Sequence, residues 1–456
     1  MFETLIRGGT IMTPKGTRPL DVALENGKIV ELLEPGGNTE ARDVIDATGK
    51  HVLPGAIDIH FHVRAPAHPQ RGTWESETRA AAAGGVTTVF EMPISKPCCA
   101  TPAILNSRRE QAEREAVVNF ALYGAPGMRN PEYIQGMKDA GAIAFKIFTT
   151  SAVKGREDEF DGLCVPDEFE QLECLELVRE TGLVTVVHAE SNPLLEYYSN
   201  RIKATGRNDP ATHGQSRPPV VEALAIAKIA TLNDVVGAKL HIAHVTSRHA
   251  LETLRKWQGH QDISGETCPQ YLMFTEAELE RYGSYAKINP PLRQQDDIEA
   301  LWQGITDGTL SSVTTDHSPF TVEEKERART DIWAAPPGAP GVEMLVPMLL
   351  DAAAQGKITL ERAVELMGAN GAKRFGIYPR KGVIQAGADA DVILVDLEAK
   401  TVVDKQQEFT KARANDFFYD GRTFQGRVER TIVGGKTVFA DGQVLGQPGD
   451  GKFVRP

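Results

Sequence analysis

The chain has 456 residues, 41% of them hydrophobic and 25% charged, an ordinary globular composition that excludes disordered and fibrous classes. Its 50 basic and 62 acidic residues leave a net charge of −12. That excludes broad binding to nucleic acid or to an anionic membrane, because phosphate contacts need clustered Lys and Arg.

The length suggests two or three domains, or one large barrel with an accessory domain. The opening MFETLIRGGTIMTPKG has no long apolar segment of the secretory kind, and no apolar run is long enough to span a bilayer. Cys98, Cys99, Cys164, Cys174 and Cys268 are odd in number and lack Cys-x-x-Cys spacing, which fits reduced thiols and a cytoplasmic location.

In chain order, the first fifty residues read as short strands and turns. LIRGGTIMT, DVALENGKIVELL and DVIDATGKHV place β-branched residues between Gly and Asn-Gly punctuation, which is hairpin chemistry. The middle then alternates. Eight short apolar runs recur at 55–60, 85–92, 117–124, 142–148, 183–190, 238–245, 262–268 and 311–316, separated by helix-like segments such as SETRAAAAGG and VVEALAIAKIATL. Leu360, Ala363, Val364 and Met367 follow the spacing of an amphipathic helix. Strands alternating with helices imply a parallel sheet, and eight units match the about 250 residues of a (β/α)8 TIM barrel. The competing open sheet lacks its Gly-x-Gly-x-x-Gly signature. After the barrel, KGVIQAGADADVILVDL and RVERTIVGGKTVFADGQVL are β-rich again. Either the two ends are unrelated extensions, or together they make one small β-sandwich. The expected division is 1–53 with 380–456 for the small domain and 54–379 for the α/β barrel.

Polar residues interrupt the apolar runs at their carboxyl ends, where barrel enzymes keep their active sites. His60 and His62 are two apart, so on a strand they face the same way. They are a metal-gripping pair or two turn histidines. Arg64 continues that face and otherwise pairs with Glu75 or Glu77. His188, His244 and Asp316 end the fifth, sixth and eighth runs. His241, three before His244, faces the other way and reads as an ordinary packed or exposed histidine. Lys146 sits inside AIAFKIF. It is a strand-edge lysine reaching solvent, or a buried amine of lowered pKa able to add CO2 and become an anionic carbamate. Imidazole and carboxylate donors suit Zn(II).

DIHFHVR, AFKIF, VVHAE, HIAHV and TTDHSP resemble the motifs of the amidohydrolase superfamily, in the cyclic amidohydrolase branch of hydantoinases, dihydropyrimidinases, allantoinases and dihydroorotases. EMPI, FALYG, CPQYL and FGIYPRKG look most like hydantoinases and allantoinases. The resemblance implies two divalent metal ions: one held by His60, His62 and Asp316, the other by His188 and His244, with carboxylated Lys146 and a hydroxide bridging both. It implies that Asp316 takes the proton of that hydroxide and passes it to the leaving nitrogen, or serves as a ligand only. His317 carries no role in that scheme. Arg64 and Asn289 match substrate-contacting positions of dihydroorotases, yet Ile94 stands where that group carries Asn. Ser151 stands where dihydropyrimidinases carry a Tyr, which suits an allantoinase or L-type hydantoinase. Trp74 and Phe160 are candidate pocket walls.

The expected activity is opening of a hydantoin- or allantoin-type ring. Dihydroorotase is the rival enzyme, and a ligand-free scaffold like the dihydropyrimidinase-related proteins is the rival of another class. The resemblance also implies a homodimer or homotetramer.

Overall fold

The computed structural model describes all 456 residues. Turn chemistry folds the amino terminus back on itself. β1 (Phe2–Thr13) pairs antiparallel with β2 (Gly16–Glu25), which pairs with β3 (Lys28–Leu33). Between β2 and β3, Asn26 at φ 51° and Gly27 at φ 73° are both left-handed, as a two-residue hairpin turn of this twist requires. β4 (Ala41–Asp46) and β5 (His51–Pro54) share the other edge of β1.

The chain then enters the barrel. β6 (Ala56–Phe61), β7 (Val86–Glu91), β8 (Asn119–Gly124), β9 (Ala144–Phe148), β10 (Val184–His188), β11 (Lys239–Ile242), β12 (Ile263–Thr267) and β13 (Ser312–Val313) are parallel neighbours in sequence order. The circle closes where Phe61 bridges His317 and the His62 N–H donates to the His317 carbonyl at 2.9 Å. β6 to β8 are buried at every residue, because helices cover the outer face of a parallel sheet. Those helices start where the sequence signals it. Thr73 caps α1 (Trp74–Ala83), Thr101 caps α2 (Pro102–Glu115), and Asn130 caps α3 (Pro131–Ala140), the last two with Pro at the first helical position. α4 (Glu168–Thr181) stops at Gly182 in the left-handed region.

All eight apolar runs are strands. The sixth ends at Ile242, so His244 lies two residues beyond it. The helix expected from Leu360 onward has its buried face at Ala363, Val364 and Met367, but a wider π turn over Glu365–Ala369 interrupts it. The four remaining strands are β14 (Val392–Val402), β15 (Thr423–Val433), β16 (Lys436–Ala440) and β17 (Gln443–Val444). β14 pairs antiparallel with β5, so both chain ends share one nine-stranded sheet. Ile6, Leu20 and Val22 from one end pack with Val392, Leu394 and Ile432 from the other. The two β-rich ends therefore form a single small domain. No helix is long and apolar enough to cross a membrane.

Candidate active site

Six side chains named above meet at the carboxyl mouth of the barrel. Strand pleating puts His60 and His62 on one face. His60 Nε2 lies 3.3 Å and His62 Nε2 3.2 Å from Asp316 Oδ1. This is the geometry of three donors around one cation: the donor atoms of the trio all lie within 4.8 Å of one another. Asp316 reaches them from a left-handed backbone at φ 48°, a conformation that costs a non-glycine residue about 1–3 kcal/mol and persists only where its surroundings impose it.

Beside the trio, His188 Nδ1 faces His244 Nε2 at 3.0 Å. His244 also has a left-handed backbone, φ 39°. Lys146 pairs in register with Val186 on the adjacent β10. Its side chain is 0% exposed, and its Nζ has no hydrogen-bond partner. It is a buried amine rather than a strand-edge lysine.

Two carboxylates set the orientation of the rings. Glu266 Oε1 accepts from His60 Nδ1 at 2.5 Å, and Glu190 Oε2 pairs with His188 Nε2 at 2.8 Å. Each fixes which nitrogen turns to the centre, as outer carboxylates do around metal-binding imidazoles. Glu190 is itself paired with Arg217.

The electrostatics match. Burial lowers the Lys146 amine to about 8, against the pull of Glu266 and Asp316. Burial and Arg64 push His62 down to about 3. Burial also lowers His188, and burial with His188 lowers His244 well below its usual value. Neutral imidazoles are what a metal ion needs. Burial opposes charge on Asp316, but His60 and His62 outweigh it and hold the carboxyl well below its usual range. An uncapped amine, four convergent imidazoles and an ionised carboxylate fit a site built for cations.

The surrounding cavity measures about 420 Å³, room for a small ring. Arg64, Ser151, Phe160 and Asn289 line it. Arg64 is 4% exposed and donates to Ser318 Oγ. It does not pair with Glu75 or Glu77, and its Nε has no partner; neither does Asn289 Oδ1. Ser151 N–H donates to Asn192 Oδ1 at 2.9 Å. Ile94 is also in the wall, while Trp74 is buried in the core against Phe120 and is not part of this cavity.

Glu266, Glu190 and Arg217 are functional neighbours that motif spacing passed over. His241 was read as an ordinary packed or exposed histidine; it is buried and shares Glu266 with His60, Nε2 to Oε2 at 3.0 Å. An acidic residue inside the run DISGETC was the available signal, of the same kind that marked Lys146.

Residues 51–438 match the amidohydrolase family. An L-hydantoinase of Paenarthrobacter aurescens is 35% identical over 100% of this chain and 98% of its own length. An allantoinase of Rubrobacter xylanophilus is 36% identical over the same shares. The solved structure of the L-hydantoinase (dihydropyrimidinase) from Arthrobacter aurescens superposes with a TM-score of 0.93 at 34% identity, covering 100% of both chains.

Proposed function

The chain belongs to the amidohydrolase family, and from that membership we propose that it hydrolyses a cyclic amide of the hydantoin or allantoin type. The observation that carries this reading is the convergence of His60, His62 and Asp316 beside His188 and His244 in the lining of one cavity, with Lys146 buried next to them.

In this reading His60, His62 and Asp316 hold one divalent ion and His188 and His244 a second, with zinc the best match to the donors. Lys146 bears a carboxylate: its neutral amine adds CO2 and loses a proton, and the resulting carbamate anion replaces an unpaired buried cation. Bound ions supply Lewis acidity, polarising the ring carbonyl and acidifying water.

The chain's own groups do the rest. Glu266 and Glu190 keep the His60 and His188 rings in one tautomer each. The Asp316 carboxylate, held ionised, accepts the proton of the attacking water and delivers it to the leaving ring nitrogen, general base and then general acid. Arg64, Asn289 and Ser151 contact the ring, because they line the cavity. Ring opening releases an N-carbamoyl acid or its ureide counterpart.

One observation favours a second reading. The buried Arg64 has no carboxylate partner, and a guanidinium of that kind suits a ring carboxylate such as that of dihydroorotate. The apolar Ile94 in the same wall speaks against it. A panel of hydantoin, 5-substituted hydantoins, allantoin, dihydrouracil and dihydroorotate, scored for ring opening in metal-loaded protein, tests the assignment. Turnover of dihydroorotate alone reverses the ranking, and turnover of none removes the function. The same reading places the enzyme in the cytoplasm as a homodimer or homotetramer, with 54–379 as its hydrolase barrel and 1–53 with 380–456 as its small domain.

A further inference from the structure

The connection between β14 and β15, residues 403–422, is longer than most hairpin loops, and long loops in compact domains tend to carry function. It leaves the small domain and crosses to the catalytic mouth. Lys411 Nζ donates to the Pro69 carbonyl at 2.9 Å, in the loop after β6, and Asn415 Nδ2 donates to the Phe320 carbonyl at 2.5 Å, in the loop after β13. Beside the first anchor Thr410, 2% exposed, donates from Oγ1 to Glu77 Oε2 at 2.6 Å, and the Lys411 N–H donates to Glu77 Oε1 at 3.2 Å.

Glu77 then receives His317 Nε2 at 2.8 Å. The other ring nitrogen of His317 accepts from the Gly341 and Val342 N–H groups at 3.1 and 3.3 Å. Nδ1 therefore carries no proton, and Nε2–H is the donor to Glu77. The ring stacks on Phe61 with centroids 5.0 Å apart and planes at 13°.

His317 is the residue after Asp316. Its carbonyl takes the His62 N–H at 2.9 Å and its N–H donates to Thr315 Oγ1 at 2.9 Å. The peptide that follows the left-handed Asp316, and the one after it, are thus tied down through a residue that Glu77 and Thr410 hold in place. We infer that Thr410, delivered by the small domain, is a positioning residue for the reaction: it orders Glu77, Glu77 orders His317, and His317 sets the bend that aims the Asp316 carboxylate. A misplacement of about 1 Å at such a group is enough to slow a reaction by about a hundred-fold.

The inference rests on Asp316 being the proton carrier of the proposed reaction, and the test separates the two. Steady-state rates are measured for Thr410→Val, Thr410→Ser, Glu77→Gln and Asp316→Asn on the best ring of the panel, with metal content and melting temperature for each. Thr410→Val is expected to lower kcat about ten-fold, as loss of an outer partner does, with KM and metal content unchanged and a melting temperature still well above that of the assay. Thr410→Ser, which keeps the hydroxyl, is expected to retain kcat. Unchanged kcat in Thr410→Val overturns the inference, as does a loss that follows melting temperature or metal content, or an equal loss in Thr410→Ser. Full activity in Asp316→Asn overturns instead the proton-carrier reading on which it stands. If Thr410→Val does not fold, Glu77→Gln carries the same kcat-against-KM expectation and the same overturning results.

Discussion

At the residue scale, Lys146 states the problem that the site solves. Its Nζ is fully buried, accepts no partner and lies among imidazoles. An unpaired ammonium there would cost several kcal/mol, and burial has already lowered the amine to about 8. In the proposed reading a carbamate anion between two bound cations would remove that cost. Lys146→Ala is expected to lose more activity than the about hundred-fold associated with an outer partner. Metal per chain, read by elemental analysis, should fall with it, and added acetate or propionate should restore part of the rate. Full activity in that variant sinks the bridging role. Lys146, His60, His62, His188, His244 and Asp316 were legible in the sequence because each is a polar residue inside an apolar run or at its carboxyl end. Glu266 carried the same mark inside DISGETC, but its partner did not show, because its bond to His60 crosses from β12 to β6 and no local spacing encodes a cross-barrel contact. The pairing that the sequence offered Arg64 is not made, for a similar reason. Glu77, one of its candidate partners, is occupied by His317 and Thr410.

At the scale of elements, the strands announced themselves and the loops did not. Continuous apolar runs mark buried parallel strands, whereas the segment after β9 shows how it folds only through contacts. Arg156, which lines the cavity, grips Glu159 with two bonds of 2.8 and 2.7 Å. Phe160 then stands edge-on to Phe148, which stacks on His188. Burial alone would raise Glu159, but Arg156, with Arg64 and Arg71, overrides it and brings the carboxyl from 4.5 to about 2. A carboxyl depressed on folding contributes stability above its unfolded value and loses it as pH falls through the folded one. The loop's clamp is therefore whole above pH 4.5 and lost toward pH 2. Glu159→Gln should open the loop at neutral pH. Trypsin is expected to cut after Lys154 or Arg156 several-fold faster than in the parent, and KM for the ring to rise more than kcat falls. Unchanged cleavage would mean that Phe160, not the ion pair, holds the loop.

At the scale of the whole molecule, the small domain and the barrel are less separate than the sequence suggested. Two β-rich ends around an alternating middle imply two units, and the nine-stranded and eight-stranded sheets agree. The core does not divide that way. Ile393, Val395, Val428, Val438 and Phe439 of the small domain belong to the same buried cluster as barrel residues such as Val86, Val346 and Leu349. Composition and periodicity mark which faces are apolar, but not which element covers them. A buried polar pin reinforces the junction: Asp391 holds Lys381, takes the Gly434 N–H at 2.7 Å and reaches Asn119 of β8 at 3.1 Å. Asp391→Ala leaves the Lys381 ammonium with Asp389 as its one carboxylate, at 2.9 Å, and leaves the Gly434 and Asn119 N–H groups unpaired; it should cost about 1–3 kcal/mol, measured by denaturant unfolding. The stronger consequence concerns residues 54–379 alone. Cut from both ends, that segment exposes the helical face that β15 covers and loses the 403–422 connection that steadies Asp316. It should show no cooperative thermal transition by circular dichroism and no ring opening at any metal concentration. A sharp transition at the parent's midpoint would mean that the barrel's own helices complete its core and that the shared cluster is only contact between two independent units.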